Sequence, residues 1–451
     1  MTPGADDLWF LPLGGCGEIG MNLNLFGHNG AWLMVDCGIT FEAGPGGSNQ
    51  VQMPDPSFIA AHSQSLVGVI ATHAHEDHIG ALPNLWPQFR CPVYTTAFTA
   101  AVLRNKSAGR GAQAPEPIIE VLPGDERQIG PFSVRWIPIT HSTPETMALE
   151  IITPAGSVLH TADWKIDTAP IIGEPFNARH FQAVGERGIT AVVCDSTNAM
   201  VSGYTPSEGE VAKGLAGAIA ACTGRVVIAC FASSVARLQT VSRIGHRTGR
   251  RLGLLGRSLQ TMVSCARSVD LLGPDFAVIE SSHLGYLPPE EVLVLATGSQ
   301  GEPGAALSRL AADTHPALSL EPGDTVIFSA RTIPGNEAAV GRLSERLAQR
   351  GVTVAHADDA ETTLHASGHP CAGELRDMYQ WLKPGVAVPV HGEQRHMQAN
   401  AQIARSTGVP LALTGENGDL FYLAPEAGVK RRAAATGRLA LGQDGTLNPV
   451  I

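Results

Sequence analysis

Nowhere in this 451-residue chain do 18 apolar residues follow one another, so no segment reads as a bilayer-crossing helix. The opening residues, Met1 to Asp7, carry neither a basic region nor the apolar run of an export signal, and the protein is therefore expected in the cytoplasm, off the membrane. Cysteine is sparse: the eight, at 16, 37, 91, 194, 222, 230, 265 and 371, form no C-x-x-C pair and no dense framework, which points to reduced, mostly buried thiols. Charge is also scarce, at 16% of residues, with a net value of −11 and a pI of about 5.8. That balance opposes long-range attraction to a polyanion, and taken alone it argues against a nucleic-acid partner; only bound cations or a local basic groove override it. There is no internal repeat, no low-complexity tract and no coiled-coil heptad.

What is present suits a globular α/β protein of two or three compact units: 44% hydrophobic residues, 50 glycines and 31 prolines. Short apolar or β-branched runs recur at Trp32 to Asp36, Val67 to Ala71, Ser157 to Ala162, Ala191 to Asp195, Arg225 to Cys230, Val292 to Ala296, Thr325 to Ser329 and Val386 to Val390. Amphipathic stretches at Glu208 to Thr223, Ser233 to Thr248 and Asn336 to Gly351 read as helices between them. The Ala- and Gly-rich segment from Pro425 to Ile451 is expected to be irregular or poor in strands.

The strongest chemical signal is Thr72-His73-Ala74-His75-Glu76-Asp77-His78-Ile79-Gly80, directly after the run Val67 to Ala71. Four potential ligands occupy six positions at a strand end, and imidazole and carboxylate are donor types that Zn²⁺ prefers. Two histidines one residue apart on an extended loop can share one ion while the Asp-His pair turns toward a second, and two ions close together can clamp a phosphate and activate water. Further ligands are then expected after other apolar runs, where His141, Asp163 and His391 stand. A lone histidine or aspartate after a strand is more often a packed or capping residue; only the company of the first motif makes these three ligands. His28, His62, His160, His180, His246, His283, His315, His356 and His396 lack that context and read as structural or solvent-facing.

The order H-x-H-x-D-H, His, Asp, His resembles that of the metallo-β-lactamase superfamily, an αββα sandwich with metals at the ends of two facing sheets. The resemblance implies that His73, His75 and His141 hold one zinc, that Asp77, His78 and His391 hold the other, and that Asp163 bridges them. Asp163 and His391 lie 228 positions apart, far more than a minimal sandwich needs, so a second domain is expected between them as a lid. Asp195 in Asp195-Ser-Thr-Asn198, His369 in His365-Ala-Ser-Gly-His369, and His391 are similar to the acid and histidine motifs of the β-CASP nucleases.

Within that branch the chain closely resembles the ribonuclease J family, through Leu11 to Gly15 with Gly17 to Gly20, His75 to Pro83, Ala162 to Asp167, Asp195 to Asn198, Thr297 to Pro303, Ile333 to Glu337, Ser367 to His369 and Pro389 to Glu393. The implied organisation is a metallo-β-lactamase domain in two parts, residues 1–203 and 355–451, around an inserted β-CASP α/β domain at 204–354. The implied activity is zinc-dependent hydrolysis of RNA phosphodiester bonds, from the 5′ end and internally, in RNA maturation and decay; Mn²⁺ or Mg²⁺ could serve in place of the two Zn²⁺. Asp77, Asp195 and His369 are the expected catalytic groups, His369 protonating the leaving oxygen or stabilising the transition state and Asp195 orienting the site.

The expected RNA contacts are Ser233 and Ser234, which open a helix and can receive a 5′-terminal phosphate at its N-terminus, and the loop His365, Ala366, Ser367, Gly368 and His369, whose hydroxyl and backbone N–H groups can do the same. Plain N-capping by the two serines is the competing reading. The expected partner is single-stranded RNA with a 5′-monophosphate, with a homodimer or contacts to other RNA-decay proteins left open. Basic residues that could track RNA are Arg104, Lys106, Arg110, Arg247, Arg250 and Arg251.

Two departures stand out: family members usually carry a further C-terminal domain whereas this sequence stops at Ile451, and Phe231-Ala-Ser-Ser234 ends in Ser where Asn is expected. Two rival functions remain: a small-molecule hydrolase of the same fold, and a non-catalytic RNA-binding subunit.

Overall fold

The computed structural model describes residues 1–43, 49–109, 114–442 and 444–450. Two mixed sheets face each other. The first runs in the order Gly428–Lys430, Leu420–Ala424, Leu8–Gly14, Leu23–His28, Ala31–Val35, Leu66–Ile70, Val93–Thr95, Ile118–Glu120. The second runs Leu411–Ala412, Val386–Val390, Ala191–Asp195, Gly156–His160, Met147–Thr153, Phe132–Pro138, Glu126–Ile129.

The strand Leu8–Gly14 explains why so many of these runs are apolar without alternation. Successive side chains point to opposite faces, and both faces are covered. Leu8 and Phe10 enter the core between the sheets, with Phe26, Val35, Trp136, Leu149, Val193 and Val388. Trp9, Leu11 and Leu13 enter the layer on the outer side, with Ile79, Leu82 and Phe98. Beyond the second sheet, Leu159, Val192 and Ala387 pack on Phe181, Leu375, Met378 and Ala401 from three helices. The result is the expected four-layer αββα sandwich.

Between the strand Ala191–Asp195 and the strand Val386–Val390 lies a separate five-stranded sheet, all parallel, in the order Arg251–Leu255, Val292–Ala296, Val226–Ala229, Thr325–Phe328, Thr353–His356. Helices cover both its faces, as an all-parallel sheet requires. Val227, Val294 and Phe328 pack on Leu307, Val340 and Leu347, while Val226 and Ile228 face Leu215, Leu238 and Leu259 in a core continuous with the first sheet's outer layer. The three helices read from the sequence form as Glu208–Ala220, Val235–Thr248 and Glu337–Gln349. Ser207 and Glu210 make a reciprocal capping box at the start of the first.

The C-terminal segment departs from expectation. It supplies the strands Gly428–Lys430, Arg438–Leu441 and Leu447–Pro449, the second of which pairs antiparallel with Asn49–Pro54. That second strand, read as strand-like from Gly437 to Gly442, has a partner nearly 400 positions away, whereas the first and third are held by the nearby strands Leu420–Ala424 and Arg438–Leu441.

Candidate metal centre

The residues of the histidine-rich loop sit where the strand Leu66–Ile70 ends, and neighbouring backbone holds them there. Cys37 N donates to His78 O (2.7 Å), Ile39 N to Glu76 O (3.0 Å) and Asn22 N to Asp77 O (2.9 Å). Gly38 approaches so closely that a Cβ would lie 1.7 Å from the Asp77 carbonyl oxygen, so only glycine fits. Asp36, Ala162 and His391 all adopt positive φ, at 65°, 53° and 50°. Three non-glycine residues in that region at three strand ends mark stored strain of about 1–3 kcal/mol each, which the surrounding packing must hold in place.

These constraints bring nine expected residues together. Ligand-type atoms of His73, His75, His141 and Asp163 lie within 4.8 Å of one another; so do those of Asp77, His78, Asp163 and His391, and those of Asp163, Asp195, His369 and His391. His73 Nε2 and His141 Nε2 each lie 3.1 Å from His75 Nδ1. His78 Nε2 is 3.1 Å from Asp163 Oδ2, and His391 Nε2 is 3.2 Å from Asp77 Oδ2.

The hydrogen bonds decide what these atoms offer. His141 Nδ1 faces the Gly368 carbonyl at 2.6 Å, which can only accept, so Nε2 is left with its lone pair. His78 Nδ1 donates to Asp36 Oδ2 (2.8 Å), which leaves Nε2 as the nitrogen turned toward Asp163. Thr72 Oγ1 spends its hydrogen on Asp36 (2.9 Å) and therefore accepts from His73 Nδ1 (3.0 Å), baring His73 Nε2.

Lone pairs thus point at one another in the first group, whereas in the second the imidazole nitrogens face carboxylate oxygens, to which a protonated ring donates. Burial, together with neighbouring imidazoles, holds His73 and His141 well below the usual imidazole value and His75 at about 4, so this trio is neutral at pH 7. In the second group burial opposes charge on His391, but Asp163, Asp195 and Asp77 outweigh it and raise His391 to about 10; Asp163, Asp77 and Asp36 likewise raise His78. Neutral nitrogens and compensated carboxylates are what a divalent cation replaces protons on. The donor set fits a metal ion.

Beside it, His369 Nδ1 contacts Asp195 Oδ2 at 2.8 Å, and Asp195 Oδ1 accepts from Thr197 N and Oγ1 (2.9 and 2.8 Å). Asp163 and Asp195 raise the His369 pKa against the effect of burial. Its side chain keeps 22% exposure, against 1% for His141, so it faces the open side of the cluster. Ser367 Oγ accepts from Asn198 Nδ2 (2.8 Å) and His369 N (3.2 Å), and Gly368 lies against the His141 ring, where a Cβ would come within 2.4 Å of Cε1. Ala366 is buried, while His365 packs near Arg237 and Lys165. Ser234 caps the helix Val235–Thr248 by position but makes no side-chain cap bond.

Several contributors escaped the sequence reading. Asp36 fixes His78 directly and His73 through Thr72; its only trace in the sequence is a carboxylate closing the apolar run from Trp32. Thr197 Oγ1 lies 2.9 Å from His391 Nδ1, Thr205 Oγ1 donates to His369 O (2.8 Å), and Glu374 gathers Ile166 N, Thr205 N and Cys371 N on its carboxylate. The basic residues mostly serve otherwise. Arg250 is buried and donates to the carbonyls of Cys222, Gly224 and Val292; Arg104 pairs with Glu120 and Lys106 with Glu76. Arg110 lies outside the described residues.

A sandwich of this kind, with a mixed His/Asp cluster at its strand ends, defines a metal-dependent hydrolase of the metallo-β-lactamase class. The description "Metallo-beta-lactamase superfamily" matches residues 21–179, "Ribonuclease J, beta-CASP domain" 223–347, and "Zn-dependent metallo-hydrolase RNA specificity domain" 356–412. Ribonuclease J of Sinorhizobium meliloti is 43% identical over 446 residues, covering 98% of this chain and 78% of that protein. Ribonuclease J of Mycolicibacterium smegmatis is 38% identical, covering 96% and 76%. An Enterococcus faecalis protein of unknown function shares the fold, with a TM-score of 0.62 at 16% identity over 92% of this chain and 100% of that one. The chain belongs to the ribonuclease J family, and it is a metal-dependent ribonuclease.

Proposed function

We propose that this ribonuclease works with two zinc ions on single-stranded RNA bearing a 5′-monophosphate, releasing nucleotides from the 5′ end and also cutting internally. The observation that carries the reading is that, of the three four-residue groups containing Asp163, two take up all seven candidate ligands and share only Asp163. His73, His75 and His141 would hold one ion and Asp77, His78 and His391 the other, with Asp163 common to both; Mn²⁺ or Mg²⁺ is the alternative occupant. Bound ions would supply Lewis acidity to a phosphoryl oxygen and lower the pKa of a water toward ~7.

The protein's own groups do the rest. Asp195 keeps a hydrogen on His369 Nδ1 and orients the ring, leaving Nε2 to hold the proton that the departing oxygen needs. Ser234, free of a cap bond, and Ser367, whose oxygen only accepts in the bonds described, retain hydroxyl hydrogens for a terminal phosphate. Ser233 and the loop His365 to His369 complete that pocket. The domains follow as 1–203 and 355–451 around 204–354. Eight unpaired cysteines, seven of them buried, suit a reducing cytoplasm.

The test is incubation with end-labelled RNA carrying a 5′-monophosphate or a 5′-triphosphate, with and without chelator. Mononucleotide release from the monophosphorylated strand, abolished by chelation and restored by Zn²⁺, is expected. Equal decay of both RNAs would overturn the terminal pocket, and cleavage by metal-free protein would overturn the two-metal mechanism.

A further inference from the structure

Away from the metal cluster, four charged side chains are buried together. Lys165 and Asp167 are 0% and 2% exposed and lie 2.9 Å apart; Arg237 and Glu208 are 2% and 4% exposed and lie 3.1 Å apart. Lys165 Nζ stands 3.8 Å from Glu208 Oε1, which joins the two pairs. A buried ion pair often stabilises a fold no more than apolar packing of the same volume; what the hydrogen bonds of these four side chains fix is their relative placement.

Their location gives that geometry a use. The chain leaves the sandwich after Ala191–Asp195 and enters the inserted sheet through the helix Glu208–Ala220; it returns after Thr353–His356 and re-enters at the helix Ala372–Leu382. Glu208 opens the outward crossing, and its N–H donates to Asp167 Oδ2 (3.0 Å). Arg237, on the inserted domain, donates through both terminal nitrogens: to Glu208, and to Ser329 O at 2.9 Å. Ser329 Oγ donates to Leu364 O (2.7 Å), on the returning crossing, five residues before His369. At the other end, Lys165 N donates to Thr140 O (2.8 Å) and Thr140 Oγ1 to Lys165 O (2.6 Å), which ties together the turns carrying His141 and Asp163.

We propose that Arg237 is a positioning residue for His369. Through Glu208, Lys165 and Asp167 it takes its bearing from the turns of the metal cluster, and through Ser329 it transmits that bearing to the segment Leu364 to His369. Both chain crossings are thereby held in one register, and the ring of His369 is set against Asp195. This rests on the transition-state role given to His369 above.

The experiment compares Arg237→Lys, Ser329→Ala and His369→Ala, singly and with each of the first two combined with the third, by steady-state cleavage of 5′-monophosphorylated RNA. Metal content, melting temperature and amide exchange across residues 364–369 are measured on the same proteins. Arg237→Lys keeps the charge but cannot reach Glu208 and Ser329 O together; Ser329→Ala removes one hydroxyl and leaves all four charges paired, so it carries the test should the first variant fold poorly. The expectation is a fall in kcat of about 10-fold or more with KM changed less than about 2-fold, as for misplacement of a reacting group by a fraction of an ångström. Metal content stays unchanged, and amide exchange at 364–369 quickens. In the His369→Ala background neither substitution costs anything further. Losses that multiply in that background, or wild-type kcat in both single variants, would overturn the positioning role. An undiminished rate for His369→Ala alone would instead overturn the role of His369.

Discussion

Replacing Asp36 by Asn tests the idea that a residue outside the proposed ligand set, bonded to one of its histidines, decides whether metal binds. Asp36 is fully buried and accepts from Thr72 N (2.8 Å), Thr72 Oγ1 (2.9 and 3.1 Å) and His78 Nδ1 (2.8 Å). An asparagine of the same shape can keep its oxygen toward Thr72 only by turning its NH₂ toward His78 Nδ1. His78 must then give up the hydrogen on Nδ1 and keep its hydrogen on Nε2, the atom that faces Asp163 at 3.1 Å. In that tautomer Thr72 N, Thr72 Oγ1 and His78 Nε2 still have acceptors, so unfolding stability should change by no more than about 1 kcal/mol. Metal binding has to reverse the tautomer and break a buried bond worth about 1.5–3 kcal/mol. The affinity at the Asp77, His78, His391 group should therefore fall about 10- to 100-fold. Asp36→Ala behaves differently, because it leaves Thr72 N, Thr72 Oγ1 and His78 Nδ1 without their acceptor and should cost about 1–3 kcal/mol for each such group. Competition with a chelator of known affinity, followed by elemental analysis, gives the metal constants, and denaturant unfolding gives the stabilities. Unchanged metal affinity in Asp36→Asn, or equal unfolding losses in the two variants, would refute the tautomer argument.

Asp163→Ala removes the carboxylate common to both proposed ligand groups, so it should abolish cleavage and lower the metal content below that of the wild type while circular dichroism stays native; retained activity would exclude a shared ligand. Ser367→Leu should weaken stepwise decay of monophosphorylated RNA about 10-fold or more and spare internal cuts, because a hydrogen bond to a charged phosphate is worth about 1.5–3 kcal/mol; equal loss of both activities would mean the serine is only structural. His365 supplies a pH test. Burial, aided by the charges of Arg237 and Lys165, lowers its pKa to about 3, so below the unfolded value of ~6.5 the unfolded chain takes up a proton that the folded one refuses. Its contribution is complete above pH 6.5 and is lost as the pH falls toward 3, at up to about 1.4 kcal/mol per unit. Between pH 7 and 5 the wild type should lose about 2 kcal/mol more than His365→Gln; parallel curves would place His365 in water.

The histidine-rich loop was legible in the sequence because its candidate ligands are contiguous: a strand end, an extended turn and one short helix fix the relative positions of His73, His75, Asp77 and His78. His141, Asp163 and His391 were legible for a related reason, since each follows an apolar run whose length and character already declare a strand. The long interval between Asp163 and His391 likewise announced an inserted domain. Local sequence determined the elements, the layers and the kind of chemistry. It did not determine which polar groups meet across elements. Asp36 reaches Thr72 over 36 positions, Asn198 reaches Ser367 over 169, and Arg237 reaches Ser329 over 92, so no window of sequence contains both partners. The same limit hid the fate of Arg250, which reads as a surface charge until the fold buries it among three carbonyl oxygens. It also hid the pairing of Arg438–Leu441 with the distant strand Asn49–Pro54. Periodicity and motif are properties of neighbours in the chain, whereas the tautomers of the histidines and the register of the two domains are set by burial and hydrogen bonding between residues that only the tertiary structure brings together.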